Sequence, residues 1–528
     1  MPSANLPLIF LYGPPGSGKS AVGRALASAL ALPFRDLDAE IEARATRSIP
    51  EIFAVKGESG FRQIEKEALV ACLEGGEGVL ALGGGTLLDP ENRSLVEAAG
   101  QVVCLAAPLQ ILFERLNFHK DHPRPLLSGE GPFVEAARLE ALLAARAAHY
   151  ASFARQIDTA GHSIHELAWE IQARLGWFHV KGMETGYDAR LWPGGLDALS
   201  VLMRSRRLEG PVALIADKTA ASFYAARVEE ALLAEGYSVF LKSVPSGEVH
   251  KTMRTVSAIW DVFLAANLER NSTVVALGGG VLTDLAGFAA AIYLRGVPWV
   301  AIPTTLLAMV DASLGGKTGA DLPQGKNLVG AFHPPQLVLA DPEVLATLPE
   351  VELRAGMAEV VKAGLIADAK LFDICAGGWE QVQNQWEEVI RRAMAVKVRI
   401  IQEDPYEKGN RAKLNLGHTI GHALETASGY QLRHGEAVSI GLVVEAWLAE
   451  SAGLAKPGLS KTIARTLHGL GLPTGLPQGI DWKTIVEATG VDKKRSGGRV
   501  CFTLPEDIGV VQVGVEIGSL EELLEGIS

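Results

Sequence analysis

Residues 8–31 read LIFLYGPPGSGKSAVGRALASALA: an apolar run, a glycine-rich loop and a helical run in direct succession. The loop, GPPGSGKS over residues 13–20, is a Walker A pattern in the strand, loop and helix context that the pattern requires. Gly13, Gly16 and Gly18, with Ser17 between them, let the backbone wrap phosphate oxygens with its N–H groups. Lys19 reaches the β/γ oxygens and Ser20 ligates Mg2+. The competing reading is a glycine-rich turn capping a core helix, and the coincidence of the full motif with its context favours phosphate binding. Outward from this stretch, short apolar runs such as GVLALGG (78–84) and GQVVCLA (100–106) alternate with helical stretches as far as about residue 175. That alternation predicts an α/β domain with a parallel sheet.

Phosphate binding alone does not separate a kinase from a nucleotide switch, and other residues of the same stretch decide between them. Asp36 and Asp38 in FRDLD stand where a second strand should end. One can assist Mg2+ while the other takes a proton from an acceptor hydroxyl, although two acids in a loop are ordinarily just solvated turn residues. Arg62 in GFRQIE, the run Gly83, Gly84, Gly85, Arg124 in HPRPLLS, and Arg146 with Tyr150 in RAAHY follow. Each arginine alone reads as a surface charge. Together, in this order, GPPGSGKS, FRDLD, GESGFRQIE, ALGGGT, RPLL and RxxxY resemble the shikimate kinase family over residues 8–175. The resemblance implies ATP with Mg2+, Asp36 beside the metal, and Asp38, Arg62, Gly83, Gly84, Gly85 and Arg146 on the carboxylate and hydroxyls of shikimate. Guanidinium groups suit a carboxylate because they pair with it bidentately. Arg124 falls in the lid that the resemblance implies, about residues 117–132, and closes over the phosphates.

With 528 residues, the chain has room for three or four folding units, or for two large ones. Its 48% hydrophobic and 21% charged residues suit soluble globular domains and argue against predominant disorder. The formal charge is −12 and there is no long basic run, which argues against non-specific nucleic-acid or membrane-surface binding. Cys72, Cys104, Cys375 and Cys501 lie far apart without a CxxC, which fits a reducing compartment. The start shows no signal peptide, and the longest charge-free apolar stretches, 98–113 and 296–310, are too short and broken to span a bilayer. The chain therefore reads as cytoplasmic. The text WFHVKGMETGYDARLWPGG, beginning at Trp177, marks a boundary with no flexible tract; a second alternation follows, and after about Pro342 long amphipathic helices take over. The predicted organisation is a P-loop kinase domain at 1–176, a Rossmann-like nucleotide-binding subdomain at 177–342 and an α-helical subdomain at 343–528. The similar strings VLALGGG (79–85) and VVALGGG (274–280) have different flanks and no fixed period, so they are two independent strand-to-loop turns and not a repeat.

In LNLGHTIGHALE, His418 and His422 lie four residues apart and share a helix face, and His434 follows in RHGEA. Histidines at this spacing suit a divalent metal, with one carboxylate to complete an open catalytic site. Glu359 in GMAEVVKAG is a candidate, and a surface pair with Lys362 is the competing reading. Upstream, VVALGGGVLTDLAGF suits close approach of a dinucleotide pyrophosphate, although it is not GxGxxG. Between the two lies a polar cluster that includes lysines flanked by glycines in GGKTG and GKN.

The ordered motifs PSGEVHK, GGGVLTDLAGF, RGVPWVAIPTTLLAMVDASLGGKTG, GKNLVGAFHPP, AGMAEVVKAG, LNLGHTIGHALE, HGEAV and DKK resemble the 3-dehydroquinate synthase family over residues 178–528. Thr283, where that family often has glycine, is a small departure. The resemblance implies Zn2+ on Glu359, His418 and His434, with His422 facing the substrate as a proton-transfer group, whereas the local reading makes both helical histidines ligands. It implies NAD on Asp217, Glu248, Lys251, Gly279, Gly280, Val281, Asp284, Thr304 and Thr305. To the substrate, a seven-carbon keto acid phosphate, it assigns Asp311, Lys317, Lys326, Asn327, Lys362, Lys397, Arg411, Asn415 and one of Lys493 or Lys494. The resemblance further implies that Arg295 completes the phosphate pocket and that a homodimer forms through this half. The rivals are another small-metabolite kinase, a polyol dehydrogenase, a related sugar-phosphate cyclase, or a half reduced to a binding or regulatory module.

Overall fold

The computed structural model describes residues 7–118, 127, 134–493, 501–517 and 520. Arg124 and Lys494 lie outside the described residues, as does the side chain of Lys493 and most of the expected lid. Contacts divide the chain into two compact units, Met1–Leu175 and Gly176–Ser528.

The first unit is built on five strands: β1 (Leu8–Tyr12), β2 (Phe34–Asp36), β3 (Val79–Ala81), β4 (Gly100–Ala106) and β5 (Gln156–Asp158). They form one sheet in the order β2-β3-β1-β4-β5, with every pairing parallel. All five residues of β1 are buried, as expected of a central parallel strand covered on both faces. The glycine-rich loop leaves the C-terminal end of β1 and opens the helix Lys19–Leu30, capped by Gly18 in a left-handed conformation. Leu8, Phe10 and Tyr12 pack with Leu37, Ile41, Phe61, Leu69 and Leu80 in the core beneath the loops.

The second unit carries β6 (Trp177–Val180), β7 (Tyr187–Leu191), β8 (Glu209–Asp217), β9 (Val239–Val244), β10 (Ser272–Gly278), β11 (Trp299–Pro303) and β14 (Leu337–Ala340) in one sheet. The order is β6-β7-β14-β11-β10-β8-β9; only the first pair is antiparallel. Two strands outside that sheet, β12 (Lys317–Leu322) and β13 (Gly325–Phe332), form an antiparallel hairpin. The later part is mainly helical, with Glu350–Ala367, Trp386–Glu403, His418–Ala427 and His434–Ser451 as its principal helices. It also contains a hairpin, β15 (Cys501–Asp507) and β16 (Val510–Glu516), whose Phe502 and Leu504 join the core formed by the last two of those helices. No helix of the described residues is long and apolar enough to cross a membrane.

Candidate active sites

In the first unit the Lys19 ammonium donates to the carbonyls of Gly13 (2.9 Å) and Pro14 (3.0 Å), folding across its own loop. Ser17 Oγ closes the loop on Pro14 O at 2.8 Å. Ser20 Oγ donates to Asp36 Oδ2 at 2.5 Å, so the two groups expected beside Mg2+ are already adjacent. Asp36 Oδ1 caps the next helix through the Asp38 N–H at 3.2 Å, which places both carboxylates at the end of β2.

The turn at residues 83–85 gathers the rest. Gly84 O accepts from Tyr150 Oη (2.8 Å), Arg146 Nη1 (3.2 Å) and Tyr12 Oη (3.3 Å). Gly85 lies between the two guanidinium groups: a Cβ built there falls 3.0 Å from Arg62 Nη2 and 3.5 Å from Arg146 Nη1. A Cβ at Gly83 falls 3.4 Å from Asp38 Oδ1. One acid and two arginines therefore converge on a backbone turn next to the P-loop, a combination able to hold a hydroxylated carboxylate. Sequence reading missed Glu65, which is buried and takes Arg62 Nη1 on one oxygen (2.7 Å) and Thr86 Oγ1 on the other (2.7 Å). Its only signal in the text is a spacing of three residues from Arg62 on one helix.

In the second unit the C-terminal ends of β8, β10 and β11 meet. Asp217 Oδ1 accepts from the N–H groups of Thr219 and Ala220 and from Ser246 Oγ, each at 2.9 Å. The Thr304 N–H bonds Gly278 O at 2.9 Å, and a Cβ at Gly279 would lie 3.1 Å from Thr305 Cγ2, so Thr305 packs directly against the glycine backbone. Gly280 and Val281 begin the helix Gly280–Ile292, whose N-terminus faces the strand ends. This is a strand-end crevice of the kind that accepts a dinucleotide. Lys251 Nζ donates to Asp284 Oδ2 (2.7 Å) and Asn327 Oδ1 (2.6 Å), and Glu248 lies 3.9 Å from Lys326 Nζ. Burial, partly offset by Lys251, pushes the Asp284 carboxyl up to about 6.

Three helices supply the second cluster. Glu359 Oε1 lies 3.5 Å from His418 Nε2 and 3.5 Å from His434 Nε2. The approach depends on glycine: a Cβ at Gly435 would stand 2.0 Å from Ala355 O, and one at Gly441 would stand 2.0 Å from Gly417 O. Glu359 is 2% exposed, and both its oxygens are buried without a well-formed hydrogen bond. An enclosed carboxylate facing two imidazole nitrogens is a donor set that fits a zinc ion. Burial, reinforced by the Lys362 ammonium, pushes His418 down to about 3, so its ring is neutral at ordinary pH. Its Nδ1 lies 3.1 Å from Leu416 O, a partner that orients the ring. Lys362 is not a surface partner of Glu359: it is 3% exposed, ion-pairs with Glu359 and donates to Leu414 O at 2.9 Å.

Around this centre Lys397 pairs with Asp311, and burial holds the Lys397 ammonium below its ordinary range. Arg411 donates to Pro405 O (2.5 Å) and Gly315 O (3.2 Å), and Lys317, exposed on β12, meets Glu407 at 2.5 Å. Asn415 is exposed in the turn before the histidine helix. The His422 and His418 rings stand 5.3 Å apart. Arg295 is exposed on a strained turn in which Leu294 and Arg295 have φ of 51° and 69°. Two further acids escaped sequence reading, Glu425 and Glu445. Glu445 is fully buried and caps the histidine helix, accepting from the N–H groups of Gly417 (2.5 Å) and Ile420 (3.2 Å).

Comparison with known proteins gives the same division. Residues 15–175 match a family model for shikimate kinase, residues 241–355 one for the 3-dehydroquinate synthase N-terminal part, and residues 356–495 one for its C-terminal part. The 3-dehydroquinate synthase of Nostoc punctiforme is 43% identical over 353 residues, spanning 65% of this chain and 97% of that protein. Among solved structures, 2-epi-5-epi-valiolone synthase from Streptomyces hygroscopicus, with NAD+ and Zn2+ bound, is 32% identical with a TM-score of 0.60, covering 65% of this chain and 96% of that one. A 2-deoxy-scyllo-inosose synthase complexed with carbaglucose-6-phosphate, NAD+ and Co2+ is 25% identical with a TM-score of 0.60, covering 66% of this chain and 99% of that one.

Proposed function

Because the chain belongs to the 3-dehydroquinate synthase family and carries a shikimate kinase domain ahead of that part, we infer the following division of work among its residues. The chain is a bifunctional enzyme of aromatic biosynthesis. Its first unit phosphorylates shikimate with ATP and Mg2+. Its second converts a seven-carbon keto acid phosphate, 3-deoxy-D-arabino-heptulosonate 7-phosphate, to 3-dehydroquinate with release of phosphate, using NAD and Zn2+.

In the kinase, Asp38 receives the proton of the acceptor hydroxyl, and Arg62 and Arg146 hold the carboxylate against the turn at 83–85. Lys19 turns from its own loop carbonyls to the transferring phosphoryl group, where its charge is worth most. Arg124 adds a second cation over the phosphates.

In the synthase, bound zinc supplies polarisation of an alcohol oxygen, and bound NAD+ supplies an acceptor and later a donor of hydride. Glu359, His418 and His434 hold the metal. Asp217, Glu248, Lys251, Gly279, Gly280, Val281, Asp284, Thr304 and Thr305 hold the dinucleotide. Lys317, Lys326, Asn327, Lys362, Lys397, Arg411 and Asn415, with Arg295 at the rim, bind the phosphate and carboxylate. His422 moves a proton on the substrate side of the metal, and Asp311 keeps Lys397 charged in a buried setting. The observation that carries this reading is the enclosed Glu359, His418 and His434 cluster with Lys362 packed against it. A homodimer through the second unit and a cytoplasmic location complete the proposal. Three of the four unpaired cysteines are buried, which suits a reducing compartment.

The test is to give the intact chain shikimate with ATP and Mg2+, and separately the keto acid phosphate with NAD and Zn2+, following ADP and phosphate independently. Absence of either activity in well-folded, metal-loaded protein would remove the corresponding half of this reading.

A further inference from the structure

We propose that Glu425 is a positioning residue of the synthase centre: its carboxylate fixes the ring of His434 so that Nε2 presents its lone pair to the space shared with Glu359 and His418. The proposal rests on the metal reading of those three residues.

Glu425 lies on the same helix as His418 and His422, and it is 5% exposed. Its Oε2 stands 3.4 Å from His434 Nδ1, while Nε2 of the same ring stands 3.5 Å from Glu359 Oε1. His434 is thus held between two carboxylates on opposite edges of its ring. Both carboxylates can only accept, so the proton of a neutral ring can sit on either edge; with a metal on Nε2 it would sit on Nδ1, where Glu425 accepts it. Glu425 thus supplies the acceptor that the metal-binding tautomer needs on its far edge. Without Glu425 the ring loses the partner on its Nδ1 edge that sets its rotation.

Glu425 is itself held. Lys326 Nζ donates to its Oε1 at 3.1 Å, and the same ammonium lies 4.6 Å from the centroid of the Tyr430 ring. The carboxylate therefore has one oxygen for the lysine and one for the imidazole. This arrangement also decides against an alternative. His422, Glu425 and His434 offer donor atoms within 4.8 Å of one another and make a second possible ligand group. Both Glu425 oxygens already have a hydrogen-bond partner, whereas both Glu359 oxygens are buried without a well-formed one, so the group around Glu359 is the one left open for a cation. Nothing in the text of HALETAS distinguishes Glu425 from a solvated helix residue; its role arises only when Lys326 from the β12–β13 hairpin and His434 from the next helix arrive beside it.

The experiment uses the intact chain stripped of metal by chelation. Zinc affinity and stoichiometry are measured by competition with a chromophoric chelator for the wild type and for Glu425→Ala, Glu425→Gln and His418→Ala. The visible spectrum of the Co2+-loaded forms is recorded in parallel, and NAD binding serves as the control for folding. Glu425→Ala is expected to bind one zinc per chain roughly 10- to 100-fold more weakly and to shift the Co2+ bands, with NAD binding kept. Glu425→Gln, whose amide oxygen still accepts the Nδ1–H, is expected to lose a smaller part of the affinity, and it decides the matter if the alanine variant does not fold. Unchanged zinc affinity and Co2+ spectrum in both Glu425 variants, with His418→Ala deficient, overturns the proposal and leaves the metal reading intact. So does a wild type that binds two zinc ions and loses one in Glu425→Ala. If His418→Ala itself binds zinc normally, the metal reading has failed and this proposal falls with it.

Discussion

Replacing Glu445 probes how the histidine helix is held, because the buried carboxyl of one helix satisfies the free N–H groups that begin another. Glu445→Ala leaves the Gly417 and Ile420 N–H groups buried without an acceptor. At about 1–3 kcal/mol each, the loss is about 2–6 kcal/mol. Glu445→Gln keeps one acceptor oxygen but sets an amide NH2 against the other N–H group, so it should cost about half as much. The two variants also differ from the wild type in pH dependence. Burial pushes the Glu445 carboxyl up to about 8, against an ordinary 4.5. The unfolded chain therefore gives up this proton near 4.5 while the folded chain keeps it. Stability from the group is fully present below 4.5 and is lost as pH rises through the window to about 8, by at most about 1.4 kcal/mol per pH unit. Glutamine has no proton to lose. The advantage of the wild type over Glu445→Gln should consequently be largest near pH 5 and shrink toward pH 8. Denaturant unfolding followed by tryptophan fluorescence is the assay, with chelator present so that metal linkage does not enter. Eight of the nine tryptophans lie beyond residue 175, so the signal reports the second unit. A loss below about 1 kcal/mol for Glu445→Ala, or a gap between wild type and Glu445→Gln that stays constant from pH 5 to 8, refutes the reasoning.

Lys19→Ala should lower shikimate phosphorylation by at least roughly 100-fold, because it removes charge from the transferring phosphoryl group, and should leave phosphate release by the synthase unchanged; coupled ADP and phosphate assays on the same preparation check both. His434→Ala, or a zinc-selective chelator with excess Mg2+, should silence the synthase and spare the kinase, since imidazole suits zinc while Mg2+ prefers oxygen ligands; metal analysis that finds no transition metal in active protein would contradict it. Supplied with the synthase substrate, NAD, Zn2+ and ATP-Mg2+, the intact chain should accumulate the cyclised product without consuming ATP, because a dehydration and a ketone reduction separate that product from shikimate. ATP consumption with no added enzyme would overturn this expectation.

The parts legible in the sequence are those whose meaning is local. GPPGSGKS needs only its own strand and helix, and Leu8–Tyr12 and Lys19–Leu30 bracket it as its spacing requires. The order of motifs carried both families, but the buried acids required tertiary information. Glu359 in AEVVK has the spacing of a surface pair with Lys362, and only the packing of three helices buries both. Glu445 in VVEAW and Glu425 in ALETA look like ordinary helix acids, yet one meets the start of a different helix and the other meets an imidazole and a hairpin lysine. The hairpin at 501–516 was obscured for a related reason. Its strands CFTLPED and VVQVGVE follow a long helical region, so local text assigned them to a helical part, whereas Phe502 and Leu504 complete that core from outside it. Sequence motifs thus identify groups that touch ligands, because the chemistry constrains residue type and spacing together. Residues that hold those groups in place are constrained only by what folding brings beside them, and for this chain they are mainly buried carboxylates: Glu65 behind Arg62, Glu425 behind His434 and Glu445 beneath the helix of His418.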